Sequence, residues 1–290
     1  LRDPKRYAED HARLLAGQRE MRRRLFHGVD FGGVRRVLDL GCGFATDLVG
    51  MASAHAHLEA DGYTLSSEQA AAARSVIEER GLEDRVRVFV EDSSRANYPG
   101  ERYDLVLGIE VVHHIRDKDA LFERVSRHLA PEGRMILVDC LAATVAPIEL
   151  PSVGSYTLPA PEYAALLARH GLRIERAVDA SQGISLFLED PHVEELSGEG
   201  SGVVGEVLRS WTHFGRALGE GLLNYVLLWA VPDPDAANLE EINRRALGPE
   251  AETYSGLHDR VRETVLRVLE LEGGLDSDAP FAALGVNSLS

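Results

Sequence analysis

Val37-Leu38-Asp39-Leu40-Gly41-Cys42-Gly43 is the stretch on which the reading of this chain turns. Three apolar residues flank an aspartate and run into two glycines. That is the sequence of a buried strand that ends in a tight loop, where a ligand can approach the backbone closely. A dinucleotide is the first candidate, but the G-x-G-x-x-G spacing fails because Thr46 stands in the place of the third glycine. Asp39 also argues against a pyrophosphate, which its carboxylate would repel. A cation it would attract.

Strand and helix signals alternate outward from this loop. Strands are predicted over Arg36–Leu40, His57–Thr64, Val86–Val90, Tyr103–Ile109, Arg134–Val138, Leu172–Val178 and Leu222–Ala230. Helices are predicted over Thr46–His55, Ser67–Arg80, Lys118–Leu129 and Pro161–His170, and Gly81 and Gly171 stop two of them. Alternation at this spacing predicts an α/β fold, a mostly parallel sheet with helices on both faces. Residues 1–27 carry Tyr7, Ala8, Leu14, Leu15, Met21 and Leu25 at the spacing of one apolar helix face and predict a helical lid segment. Residues 184–220 break the rhythm with charge and glycine before a helix around Val204–Leu218, a natural second lid insertion. Pro232-Asp233-Pro234 is expected to close the sheet domain, which therefore spans 28–235.

Composition excludes several classes. The chain of 290 residues is 44% hydrophobic and 27% charged, a globular balance. No apolar run is long enough to span a membrane. A net charge of −16 makes nucleic acid an improbable partner. The two cysteines, Cys42 and Cys140, exclude a disulfide scaffold and a four-cysteine zinc site and predict a reducing, cytoplasmic setting. The Leu1 start and Ser290 end predict a segment of a longer polypeptide.

S-adenosylmethionine (SAM) meets the electrostatic requirement of the loop, since it carries a sulfonium, an ammonium and no phosphate. The loop resembles motif I of class I SAM-dependent methyltransferases, hhDhGxG with h apolar. Tyr103-Asp104-Leu105-Val106 and Leu129-Ala130-Pro131-Glu132-Gly133-Arg134 are similar to that family's fourth strand and its LxPGG turn, with Glu132 in place of a glycine. Gly62-Tyr63-Thr64-Leu65-Ser66-Ser67-Glu68-Gln69 resembles the GxTLSxxQ of cyclopropane-synthase-like methyltransferases. The resemblance covers about residues 30–231 and implies a Rossmann-like sheet whose last strand is antiparallel, with SAM as cofactor and S-adenosylhomocysteine as product. It places Gly41, Cys42 and Gly43 beneath the methionine and ribose, and Asp39 at the ammonium. Thr64, Leu65 and Gln69 fall at the ribose, Asp92 and Ser93 at the adenine, and Glu110 at the cofactor or at a histidine. Thr64 and Ser66 also read simply as a helix cap.

Glu110-Val111-Val112-His113-His114-Ile115 follows the fourth strand, at the carboxyl edge where open parallel sheets bind ligands. A histidine there titrates near neutral pH, and Asp139 ends the neighbouring strand. This resembles the His–Glu dyad of polyketide-synthase C-methyltransferases and the His–Asp pair of sugar O-methyltransferases. It implies His113 as base and Asp139 as its orienter. His114 is either a second catalytic group or a histidine hydrogen-bonded under the loop. No H-x-x-x-H spacing is present and no metal is expected.

The tail, residues 250–290, has an amphipathic helix over Leu257–Leu271. It continues with Asp276-Ser277-Asp278-Ala279-Pro280-Phe281 and Leu284-Gly285-Val286-Asn287-Ser288-Leu289. This resembles the start of an acyl carrier protein, with Ser288 at the phosphopantetheine position. The expectation is therefore a polyketide-synthase O-methyltransferase domain acting on the β-hydroxyl of an acyl chain tethered by phosphopantetheine to a carrier protein, among neighbouring synthase domains. Carbon methylation, a free-standing small-molecule O-methyltransferase and a non-catalytic SAM-fold module remain as alternatives.

Overall fold

The computed structural model describes residues 19–150, 154–188, 213–248 and 251–253. Its centre is an eight-stranded sheet. In chain order the elements are β1 (Arg36–Asp39), α1 (Thr46–Ala54), β2 (Glu59–Thr64), α2 (Ser67–Glu79), β3 (Val86–Val90), β4 (Tyr103–Ile109), a 3₁₀ turn (Val112–His114), α3 (Lys118–His128) and β5 (Leu129–Ala142). A small hairpin follows, β6 (Ile148–Leu150) and β7 (Ser155–Thr157), then α4 (Ala160–Arg169), β8 (Leu172–Asp179), α5 (Ser181–Leu188), β9 (Leu223–Pro232), α6 (Leu239–Ala246) and β10 (Glu252–Thr253). The sheet order is β10-β8-β9-β5-β4-β1-β2-β3. Only β9 runs antiparallel to its neighbours β5 and β8; the remaining pairs are parallel.

The strands are near-continuous apolar runs because both faces of the sheet are covered. Alternate residues feed two cores. Val37, Leu105, Leu107, Ile136 and Val138 enter one; Leu38, Leu40, Val106, Met135 and Leu137 enter the other. All but one of these ten are 0–1% exposed, the exception being Leu40 at 2%. The chain order reverses between β1 and β4, since β1 pairs with β2 on one side and β4 on the other. Their carboxyl ends open a crevice at that switch point, where such sheets hold ligands.

Three expectations are corrected. The turn at Pro131-Glu132-Gly133 is not a break before the fifth strand but an irregularity within β5: Leu129 lies opposite Tyr103, yet Arg134 already lies opposite Leu105. Pro232-Asp233-Pro234 does not close the sheet. Beyond it α6 packs on α4 and β8, and β10 adds a strand beside β8. The physical reason is an edge that needs covering: β10 reaches only Val178 and Asp179, so the backbone around Ile174 would be unpaired. Asn243, fully buried on α6, accepts from Ile174 N–H at 2.7 Å and donates to Leu172 O at 2.8 Å. Finally, the β6–β7 hairpin and α5 were not foreseen.

Of the lid segment 1–27, residues 19–27 are described, and they dock on the core: Leu25 is fully buried and its carbonyl accepts from Trp229 Nε1 at 2.9 Å. Of the insertion 184–220, residues 189–212 lie outside the described residues. So do the carrier-like tail from residue 254 onward and Ser288. No helix among the described residues is long and apolar enough to cross a membrane.

Candidate functional site

The loop after β1 is held rigidly. Gly43 has φ +52°, a conformation glycine adopts without strain, and a Cβ on Gly41 would meet Val111 Cγ2 at 2.3 Å. Asp39 is 4% exposed, and its one hydrogen bond among the described residues comes from Gly41 N–H at 3.0 Å. Burial, with a contribution from Asp47, pushes its carboxyl up to about 7, against the pull of the Gly41 N–H and Arg22. A carboxylate this poorly solvated has acceptor capacity to spare and gains from a cationic ligand. Cys42 differs from expectation in its side chain, which enters the core against Gly62; only its backbone borders the loop.

A cavity of about 560 Å³ opens beside this loop. Gly41, Thr64, Leu65, Asp92, Ser93 and His114 line it, so six of the expected residues share one wall. Thr64 Oγ1 donates to Gln69 Oε1 at 2.8 Å, while Ser66 caps α2 by accepting from Gln69 N–H. Both the capping and the ligand-facing roles of this segment are thus physically compatible. Asp92 is ordered by Ser94, whose N–H and hydroxyl both donate to its Oδ1, and the side chain stays half-exposed.

The histidine turn lies one strand over. Asp139, 1% exposed on β5, accepts from His113 N–H at 2.9 Å and from Tyr163 Oη at 3.0 Å, and lies 2.8 Å from His113 Nδ1. A carboxylate at Nδ1 fixes the tautomer with the proton there and leaves Nε2 as the lone-pair nitrogen. His114 turns the other way. Its Nδ1 meets Gly154 O at 3.0 Å, and burial, then His113, lowers its pKa, so it is neutral and braced under the hairpin. His113 itself is not among the cavity's lining residues; His114 is. Lys118, 3% exposed, ties the same turn to the hairpin by donating to Ile115 O and Tyr156 O. Glu110 sits at φ +54°, unusual for a side-chain-bearing residue, and accepts from the buried Tyr225 hydroxyl at 2.5 Å.

Comparison with known proteins matches this geometry to a family. A family profile described as a methyltransferase domain matches residues 38–135. The O-methyltransferase of a trans-AT polyketide synthase multienzyme from Brevibacillus brevis, solved with S-adenosyl-L-homocysteine, superposes with a TM-score of 0.78 at 31% identity, covering 84% of this chain and 82% of that one. The StiE O-methyltransferase superposes with a TM-score of 0.71 at 34% identity over 82% of each chain. The chain belongs to this family of class I, SAM-dependent methyltransferases. It is also 34% identical over 248 residues to the polyketide synthase ThaQ of Burkholderia thailandensis, of which it spans 12%. The methyltransferase uses SAM, and the residues present fit it. They offer a buried carboxylate with one partner among the described residues for a cation, and a cavity within the size range of small-ligand pockets. A hydroxyl–amide pair and a half-exposed acid at that cavity are polar groups of the kind a nucleoside needs.

Four residues of the methyltransferase site escaped sequence reading. Tyr163 and Tyr225 are aromatic residues whose hydroxyls end on Asp139 and Glu110. Lys118 is one of the chain's two lysines. Arg22 grips Asp47, in the first turn of α1, through Nε at 2.5 Å and Nη2 at 3.0 Å. The usable signals were weak: a tyrosine inside an otherwise apolar strand, and a cation on the same helical segment as Met21 and Leu25.

Proposed function

We propose that this domain methylates the β-hydroxyl of an acyl chain carried on a phosphopantetheine arm of a polyketide synthase. The observation that carries the reading is the His113–Asp139 pair, Nδ1 to Oδ1 2.8 Å, which joins the 3₁₀ turn after β4 to β5. The two structures named as O-methyltransferases support the choice of oxygen, and the one named as part of a polyketide synthase multienzyme supports the substrate class. Asp39 would take the donor's ammonium, Gly41 and Gly43 would let its methionine and ribose lie close to the loop backbone, Thr64 and Gln69 would hold the ribose, and Asp92 with Ser93 would meet the adenine. Bound SAM supplies a methyl group on a good leaving group. The chain's work is to hold the acceptor in line, exclude water and remove a proton. His113 Nε2 accepts the hydroxyl proton as the new C–O bond forms; Asp139 balances the imidazolium, and Tyr163 and the His113 N–H hold Asp139 in place.

The test is mass spectrometry of carrier-bound 3-hydroxyacyl and 3-ketoacyl thioesters incubated with SAM. A methyl ether on the hydroxy substrate is expected; α-methylation of the keto substrate would replace this reading with carbon methylation. His113→Ala should abolish turnover with SAM affinity nearly unchanged, and near-normal turnover would remove His113 as the base.

A further inference from the structure

The three carboxylates around the SAM loop leave one end of the donor without a partner. An amino-acid terminus carries an ammonium and a carboxylate on the same carbon, so its pocket must offer both signs of charge within a few ångströms. Asp39, Asp47 and Glu110 are all acids. Arg22 is the cation that interacts with all three: it forks onto Asp47 and lies within electrostatic reach of Glu110 and Asp39.

We propose that Arg22 binds the carboxylate of SAM through Nη1, while Asp47 holds the rest of its guanidinium in place. The fork to Asp47 uses Nε and Nη2. Nη1 has no hydrogen-bond partner among the described residues, and the side chain keeps 23% of its surface exposed. Its placement is preorganised. Three residues on, Leu25 is fully buried and bonded to Trp229 Nε1, and Phe26 N–H bonds back to Arg22 O at 3.0 Å. An arginine whose fork is already fixed loses little freedom when its remaining nitrogen meets an anion. The 19–27 segment therefore contributes a ligand group as well as a cover, and ion pairing with Asp47 alone does not use Nη1. This inference rests on SAM as cofactor and is independent of which atom receives the methyl group.

The test is calorimetric binding of SAM, S-adenosylhomocysteine and decarboxylated SAM, which lacks only the carboxylate. The wild-type protein should bind SAM about 10- to 100-fold more tightly than the decarboxylated form, the scale of one charge-assisted hydrogen bond. Arg22→Gln and Arg22→Met should weaken SAM and S-adenosylhomocysteine by that factor and leave decarboxylated SAM within about twofold. Equal weakening of all three ligands, or no weakening, would overturn the proposal and leave Arg22 as a staple for the segment. Should both variants fail to fold, a crystal structure of the wild-type complex with S-adenosylhomocysteine decides. The carboxylate within hydrogen-bond distance of Nη1 upholds the assignment, and a carboxylate held elsewhere overturns it. Failure of the wild-type protein to bind any of the three would refute the cofactor itself, a separate result.

Discussion

Asp39→Asn removes one charge from the loop and keeps an oxygen for the Gly41 N–H, so it isolates the cost and the use of that charge. The buried carboxyl is pushed up to about 7 from an ordinary 3.8. Between those values the folded protein holds a proton that the unfolded chain has released. Folding stability therefore falls as pH rises from 3.8 to 7, and the penalty is fully present above 7 and absent below 3.8. Three pH units at about 1.4 kcal/mol each set it on the order of 4 kcal/mol. The ligand-free Asn variant should therefore melt about 10 °C higher than wild type at pH 8, and at the same temperature at pH 4. Its affinity for SAM should move the other way, falling about 10- to 100-fold at pH 8. In wild type the affinity itself should drop about tenfold per unit below pH 7, because the cation binds the ionised form. Denaturant and thermal melts of the ligand-free protein, with calorimetry of SAM from pH 5.5 to 8.5, read both limbs. An Asn variant no more stable than wild type at pH 8, together with a pH-independent SAM affinity in wild type, would refute the argument.

Asp139→Asn places an amide nitrogen where three donors now converge and should lower turnover about 10²- to 10⁴-fold at unchanged SAM affinity; single-turnover assays within tenfold of wild type would take Asp139 out of the mechanism. Lys118→Met strips a charged donor from Ile115 O and Tyr156 O. It should destabilise the protein by about 2–4 kcal/mol and loosen the hairpin, read as faster amide exchange over residues 148–150 and 154–157; unchanged exchange would sink the tie. Asn243→Leu leaves Ile174 N–H and Leu172 O buried without partners and should cost about 2–5 kcal/mol in a denaturant melt without altering SAM affinity measured on the folded protein. A variant as stable as wild type would mean water or backbone movement satisfies that edge.

The parts of the site legible in the sequence are those written locally. Asp39, Gly41 and Gly43 fall within five residues and make one loop. His113 and Asp139 are distant in the chain, but His113 follows β4 and Asp139 follows Val138, the last β5 residue paired with β4, so parallel pairing of the two strands brings them together. Arg22, Tyr163 and Tyr225 were not legible because their partners are set by packing. Tyr163 reaches Asp139 from α4, Tyr225 reaches Glu110 from the antiparallel β9, and Arg22 reaches Asp47 from a segment docked through Leu25. A hydroxyl on an aromatic ring has the same apolar signature whether it ends in the core or on a carboxylate. The missed α6 and β10 have a similar origin. Two prolines read as an end, whereas the unpaired backbone of β8 that made Asn243 necessary is visible only once the sheet order is known.

The two buried acids show how one fold assigns opposite tasks to the same side chain. Asp139 and Asp39 are 1% and 4% exposed, so desolvation alone does not separate them. What separates them is valence. Asp139 is engaged three times, by the His113 N–H, the His113 ring and the Tyr163 hydroxyl, all within 3.0 Å. A carboxylate so occupied is suited to holding an imidazole still. Asp39 has one donor among the described residues and a pKa displaced upward, which marks an acid with acceptor capacity to spare. In the function proposed above, the cation of SAM takes up that capacity. The proposed cofactor end follows the same logic: Asp39, Asp47 and Glu110 outnumber Arg22 there, and SAM, with two positive groups and one negative, would redress the imbalance. Methyl transfer removes the sulfonium charge, so the product fits this charge pattern less well than the donor does, and the electrostatics that favour binding before the reaction favour release after it.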